Sequence, residues 1–336
     1  MEPETYAAGV LALQSGVAFP DARIAYVTFG ALNAARDNAV IFPTRFGGTH
    51  EDNLYLIGED RALDPREYFI VVPNLIGNGV SSSPSNTGGA FAHGHFPAVS
   101  IYDNVLAQHR LATEVLGIER FALVLGWSMG GQQAYQWASL YPDRVARLAV
   151  ICGAARTAPH THVFMEGMKA ALTADAAWAG GAYREPPERG LRAIGRAWAG
   201  WGFSQAFYRA EMFRELGYIS LEDFLVRYWE GLYMARDANN ILTMLATWRS
   251  ADVGANERYR GDYAAAMGAI EARTLLMPGR TDLYFPPEDA EAEAELLRRA
   301  EIKPIESVWG HYAGGGRSEE DLRFLTAALR ELLESD

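Results

Sequence analysis

The chain has 336 residues, 49% of them hydrophobic and 21% charged, which supplies a large globular core in one domain with room for an insertion. The formal net charge of -12 is spread along the sequence, and such a surface repels phosphate backbones and anionic headgroups, so neither nucleic acid nor a membrane is an expected partner. The single cysteine, Cys152, excludes an intrachain disulfide and cysteine-based zinc sites. The acidic start Met1-Glu2-Pro3-Glu4-Thr5 lacks a signal-peptide pattern, and no apolar run approaches bilayer length, so a cytoplasmic protein is expected.

In chain order, Asn38–Phe42 reads as a buried strand ending at Pro43, and Tyr68–Val72 as a second, stopped by Pro73-Asn74. Tyr102–Leu116 carries Val105, Leu106, Leu111, Val115 and Leu116 at helical spacing. Phe121–Leu125 and Leu148–Ile151 are further strands, separated by a helical run over Gln132–Leu140. Late in the chain, Thr274–Met277 and Pro304–Val308 read as strands and Glu319–Leu333 as a helix. Runs apolar on both faces, alternating with helices, predict an α/β fold: a mostly parallel central sheet with helices on both faces. Between these halves, residues 156–260 hold five of the eight tryptophans (Trp178, Trp198, Trp201, Trp229, Trp248) and read as helix broken by Gly and Pro. This predicts a helical cap inserted into a core made of residues 1–155 and 261–336. Aromatics at helical spacing usually pack a core, and here they could also line a pocket.

Gly126-Trp127-Ser128-Met129-Gly130-Gly131 follows a strand and precedes a helix, the setting in which G-x-S-x-G becomes a nucleophile elbow of the α/β-hydrolase fold. The sharp turn exposes the Ser128 hydroxyl above the sheet, and the glycines leave room for the neighbouring strand and helix. A serine hydroxyl needs a base, and the base needs an acid to fix its tautomer. In this fold the order is Ser, then Asp or Glu, then His. His311 follows the last predicted strand, whereas His160 and His162 open the cap, so His311 is the base. Asp282, just past the strand Thr274–Met277, is the expected acid, with Asp289 as the fallback. Two backbone N–H groups must hold the oxyanion. Met129 supplies one, and the loop Thr44–Gly48 the other, with Phe46 first and Gly47 next. Arg45, Trp127 and Tyr312 are candidate substrate contacts. The pairs His93/His95 and His160/His162 lack a matching carboxylate pattern, so no metal and no cofactor is expected.

Asn38–Ile41, Tyr68–Asn74, Ile101-Tyr102-Asp103, Gly126–Gly131, Tyr141–Val145, Asp282–Pro287 and Gly310-His311 occur in the order and spacing of homoserine O-acetyltransferases, which the chain resembles over most of its core. The resemblance implies a Ser-Asp-His triad, a two-step acyl transfer through an acyl-serine, a tunnel under a helical cap, and a homodimer. It also shows departures. Tyr312 stands where the family has an aspartate that engages the amino group of homoserine, and Ala313-Gly314-Gly315-Gly316 replaces apolar residues. The loop Thr44–Gly48 and Trp127 differ as well. The favoured expectation is therefore a serine hydrolase that cleaves an ester, with water as acceptor. The alternative is an acyl-CoA-dependent O-acyltransferase, and a third reading is a non-catalytic ligand-binding member. A cofactor-dependent oxidoreductase is disfavoured because no G-x-G-x-x-G follows an early strand.

Overall fold

A computed structural model describes residues 1–335. The strands are Glu4–Ala12 (β1), Ala18–Phe29 (β2), Ala39–Ile41 (β3), Phe69–Pro73 (β4), Leu123–Trp127 (β5), Arg147–Ile151 (β6), Arg273–Met277 (β7) and Ala300–Ile302 (β8). They form one sheet in the order β1-β2-β4-β3-β5-β6-β7-β8. β3 through β8 run parallel, while β2 is antiparallel to both β1 and β4.

The central strands are apolar throughout because both faces are covered. Leu123, Leu125, Ala149 and Ile151 feed one layer, and Val124, Leu148 and Val150 the other. Helices α1 (Ile101–Arg110) and α2 (Met129–Leu140) close the second layer with Val105, Tyr135 and Trp137. The terminal helix Glu319–Glu334 closes the first with Leu325, Leu329 and Leu332. Each such side chain contributes about 1.5–3 kcal/mol by leaving water. The α/β class, the mostly parallel sheet and the helices on both faces are thus as expected.

Local elements differ from expectation in instructive ways. The β1–β2 hairpin, absent from the sequence reading, is interrupted by register shifts at Ala7/Gly9 and Gly9/Leu11, which break the two-residue alternation. The strand expected from Phe121 begins at Leu123 and reaches Trp127; Phe121 makes only an isolated bridge to Val145. No strand forms over Pro304–Val308. The edge strand is Ala300–Ile302, and beyond it Lys303 and Ile305 still donate to the Leu276 and Pro278 carbonyls (both 2.8 Å), with Ile305 bridging Gly279, while Pro304 falls on the open edge where no N–H is needed. Helix α1 ends in a π-helical turn, Leu111–Val115, that leaves Val115 exposed.

Between β6 and β7 the chain is helical, with α3 (Pro159–Thr173), α4 (Glu188–Gly202) and a helix over Ala238–Arg249 joined by shorter turns. Phe164 of α3 meets Trp198 of α4 edge-on at 4.8 Å, and Trp198 stacks at 5.0 Å on Phe46 in the loop after β3. These rings seat the helical segment over the carboxyl ends of the strands. Buried Glu230 accepts from Arg192 (2.8 Å) and Arg196 (2.5 Å), fastening α4 to the turn Leu225–Glu230. Among the described residues no helix is long and apolar enough to cross a membrane.

Candidate active site

Ser128 stands between β5 and α2 with φ 59° and ψ -127°, a region that costs a non-glycine residue about 1–3 kcal/mol. The surroundings enforce it. Its N–H donates to the Ile151 carbonyl (3.0 Å), and Gly131 N–H returns to the Ser128 carbonyl (2.8 Å). A Cβ on Gly126 would overlap the Gly130 carbonyl, and one on Gly130 would lie 2.6 Å from the Pro43 carbonyl oxygen. The glycines at both ends of the elbow are therefore steric requirements.

Asp282 and His311 come from loops after β7 and β8 and meet at the same sheet edge. His311 Nδ1 lies 2.7 Å from Asp282 Oδ2, with both residues buried. Asp282 Oδ1 accepts from the N–H groups of Tyr284 (2.8 Å) and Phe285 (3.3 Å), which fixes the carboxylate plane. A carboxylate facing Nδ1 selects the tautomer with its proton there and leaves Nε2 as an acceptor. Gly310, at φ +61°, donates to Thr281 Oγ1 (3.1 Å), tying the histidine loop to the aspartate loop. Ser128 and His311 line the same cavity, of about 630 Å³ including its mouth.

In the loop Thr44–Gly48, Gly47 N–H is engaged by Met244 Sδ (3.3 Å) and Gly47 carbonyl by Arg236 (2.7 Å). Of the two loop donors singled out from sequence, Phe46 is left as the candidate. Met129 directly follows Ser128 as the first residue of α2. Arg45, Trp127 and Tyr312 all line the cavity. Arg45 is largely committed internally, donating to Phe46 carbonyl (2.9 Å) and Asp52 (3.0 Å) with its guanidinium 4.6 Å from the Trp127 ring centre. Tyr312 stacks on Phe203 at 4.5 Å.

Asp289 sits in the first turn of the helix Pro287–Ala294, and its carboxyl is raised by burial; no hydrogen bond or ion pair joins it to His311 among the described residues. His93 and His95 are exposed in a short helical turn, and His160 is exposed with its ring 5.1 Å from that of Trp201. The one grouping with metal-ligand spacing among the described residues is Cys152, Asp282 and His311, whose ligand atoms lie within 4.8 Å of one another. Burial pushes the Cys152 thiol well above its ordinary range, and the Asp282 carboxylate adds to this. A protonated thiol beside an Asp–His hydrogen bond is a poor fit to a metal, which needs a thiolate and a free imidazole nitrogen.

Several contributions are not resolved by the sequence alone. Trp248 and Trp198 line the cavity whereas Trp229 is core, a division that helical spacing does not encode. Tyr284 and Phe285 hold Asp282 through their backbone, and their proximity in sequence was the available signal. Arg236 and Met244 reach Gly47 from 189 and 197 residues away, with no local signal at all.

A strained serine between strand and helix, opposite a buried Asp–His pair at the carboxyl edge of a parallel sheet, defines a class of enzyme. Residues 38–313 match the family model described as the alpha/beta hydrolase fold, and the chain belongs to that family. It is 41% identical over 331 residues to an ethyl acetate hydrolase of Pseudomonas veronii, covering 97% of this chain and 94% of that one. The solved structure of the acetyl esterase MekB superposes with a TM-score of 0.97 at 40% identity, covering 100% of this chain and 97% of that one. A homoserine O-acetyltransferase of Chlorobium chlorochromatii is 30% identical over 315 residues, covering 89% of this chain and 87% of that one. The resemblance to acetyltransferases is therefore real, and esterases match at higher identity.

Proposed function

We propose that the chain is a serine esterase that hydrolyses acetyl and other short acyl esters of small alcohols, with Ser128 as nucleophile, His311 as base and Asp282 as the acid that orients it. The observation that carries this reading is the 2.7 Å Asp282–His311 hydrogen bond in a cavity shared with the strained Ser128. Ser128 Oγ attacks the ester carbonyl carbon while His311 Nε2 takes its proton. The oxyanion is held by the N–H groups of Phe46 and Met129. Collapse expels the alcohol, protonated by His311, and leaves an acyl-serine. His311 then activates water, which attacks the acyl carbon and releases the acid and free Ser128.

Residues 156–260 act as a lid on this site. Trp198 and Trp248 from that segment and Tyr284 from the core give the cavity an aromatic wall suited to a small apolar ester. The esterase names of the relatives support the same substrate class. Tyr312, stacked on Phe203 beside His311, offers no carboxylate for an amino-acid acceptor, which favours water.

The test is turnover of ethyl acetate and p-nitrophenyl acetate against butyrate and octanoate esters, with and without acetyl-CoA and homoserine, beside Ser128→Ala. Acetate ester hydrolysis that needs Ser128 and no acceptor is expected. Turnover only with acetyl-CoA and homoserine together would replace the esterase reading with the transferase.

A further inference from the structure

Trp127 immediately precedes Ser128, and its indole reaches across to the histidine loop. Nε1–H donates to the His311 main-chain carbonyl at 3.2 Å in a buried setting. The indole also packs against the glycine run after His311. A Cβ on Gly314 would lie 2.7 Å from Trp127 Cδ1, and one on Gly315 would lie 2.6 Å from Cη2. The small residues at 314 and 315 are thus shaped to this side chain, which links two of the departures from the acetyltransferase pattern, Trp127 and the glycines after His311. Tyr55 completes the contact: its hydroxyl donates to the Gly314 carbonyl (2.7 Å), and its ring meets Trp127 edge-on at 6.4 Å.

These contacts divide the control of His311 between two partners. Asp282 sets the ring through Nδ1, and Thr281 holds the neighbouring Gly310 N–H on the same side. Neither ties the loop to the elbow. Trp127 does, because the residue that carries its indole is joined by one peptide bond to Ser128. The His311 carbonyl is thereby held at a fixed span from the serine's own backbone.

We infer that Trp127 is a positioning residue: through its indole N–H and the glycine bed beneath it, it sets the span between Ser128 and His311, with Tyr55 as its second anchor. The inference rests on the reading that Ser128 and His311 carry the chemistry. Displacements of about 1 Å at a reacting pair cost on the order of 100-fold in rate. Loss of the tie therefore acts on kcat; because Trp127 also lines the cavity and Tyr55 does not, KM is diagnostic in the variant that keeps the indole.

The experiment compares Trp127→Phe, Tyr55→Phe, Ser128→Ala and His311→Ala in the full chain. It measures kcat and KM for p-nitrophenyl acetate, the rate of inactivation by phenylmethylsulfonyl fluoride, and the thermal melt. Trp127→Phe keeps an aromatic ring and loses the donor. It is expected to lower kcat roughly 10- to 100-fold and to slow sulfonylation in parallel. Tyr55→Phe, which leaves the indole and the cavity lining intact, moves kcat and sulfonylation in the same direction by less and leaves KM within about two-fold. Should Trp127→Phe fail to fold, Tyr55→Phe decides. Wild-type kcat and sulfonylation in the folded variants, with only the melt lowered, would overturn the inference and leave packing as the sole role. Activity surviving in Ser128→Ala or His311→Ala would instead sink the underlying reading.

Discussion

Replacing Asp282 by Asn changes one atom and, by the geometry here, inverts the histidine. Oδ1 accepts from two backbone N–H groups, at 2.8 and 3.3 Å, while Oδ2 faces His311 Nδ1 at 2.7 Å. The N–H groups of Tyr284 and Phe285 can donate only to the carboxamide oxygen, so the new NH2 must face Nδ1. Nδ1 then has to accept, the ring proton moves to Nε2, and Nε2 can no longer act as the base proposed for Ser128. A wrong-tautomer substitution of this kind costs about 10⁴ in kcat. At about 1.36 kcal/mol per decade that is about 5.5 kcal/mol of barrier. Initial rates of p-nitrophenyl acetate hydrolysis across neutral to alkaline pH measure it, with a melt to show that the variant is folded. The expected result is a fall of that order in kcat and a nearly unchanged KM. A folded Asp282→Asn enzyme within ten-fold of wild type would refute the role given to the Asp–His pair.

Gly126→Ala places a methyl against the Gly130 carbonyl, so the variant is expected to lose about 4 kcal/mol or more, or to be recovered only as aggregate, by denaturant melt and solubility assay. Glu293 is buried and its carboxyl is raised to about 7 by that burial, which outweighs the hydrogen bonds its Oε1 accepts from the Ala155 N–H (2.6 Å) and the Tyr263 hydroxyl (3.3 Å). Because the folded state holds this proton more tightly than the unfolded chain, Glu293 makes stability fall as pH rises from its ordinary carboxylate range through about 7. Glu293→Gln should therefore melt higher than wild type at pH about 8 and show no such advantage at pH about 5; a lower melt at the higher pH contradicts this. Cys152 is buried with its thiol raised, so iodoacetamide should label it only after unfolding and should leave esterase activity intact.

Much of the core was legible because its signals are local. Gly126, Ser128 and Gly130 are spaced by the steric needs of one turn, and strands such as Leu148–Ile151 announce themselves by being apolar on both faces. The hairpin β1–β2 was not, because its bulges around Gly9 put successive residues out of phase. β8 was placed late because Ala300-Glu301-Ile302 is a short polar edge, while the more apolar stretch beyond it starts at a proline. Around the site, Asp282 and His311 could be chosen by order and place. The supports of the Thr44–Gly48 loop could not, since Arg236 and Met244 are brought to Gly47 only by the folding of the helical segment over the sheet. Trp127 could be named as a pocket residue, but its bond to the His311 carbonyl joins positions 184 apart.

The most direct test of the central claim is to quench the protein in acid during turnover of p-nitrophenyl acetate and map the acetylated peptide by mass spectrometry. The account predicts acetyl on Ser128, accumulating in His311→Ala only at a greatly reduced rate and absent from Ser128→Ala. Acetyl on another residue with undiminished turnover in Ser128→Ala would contradict it.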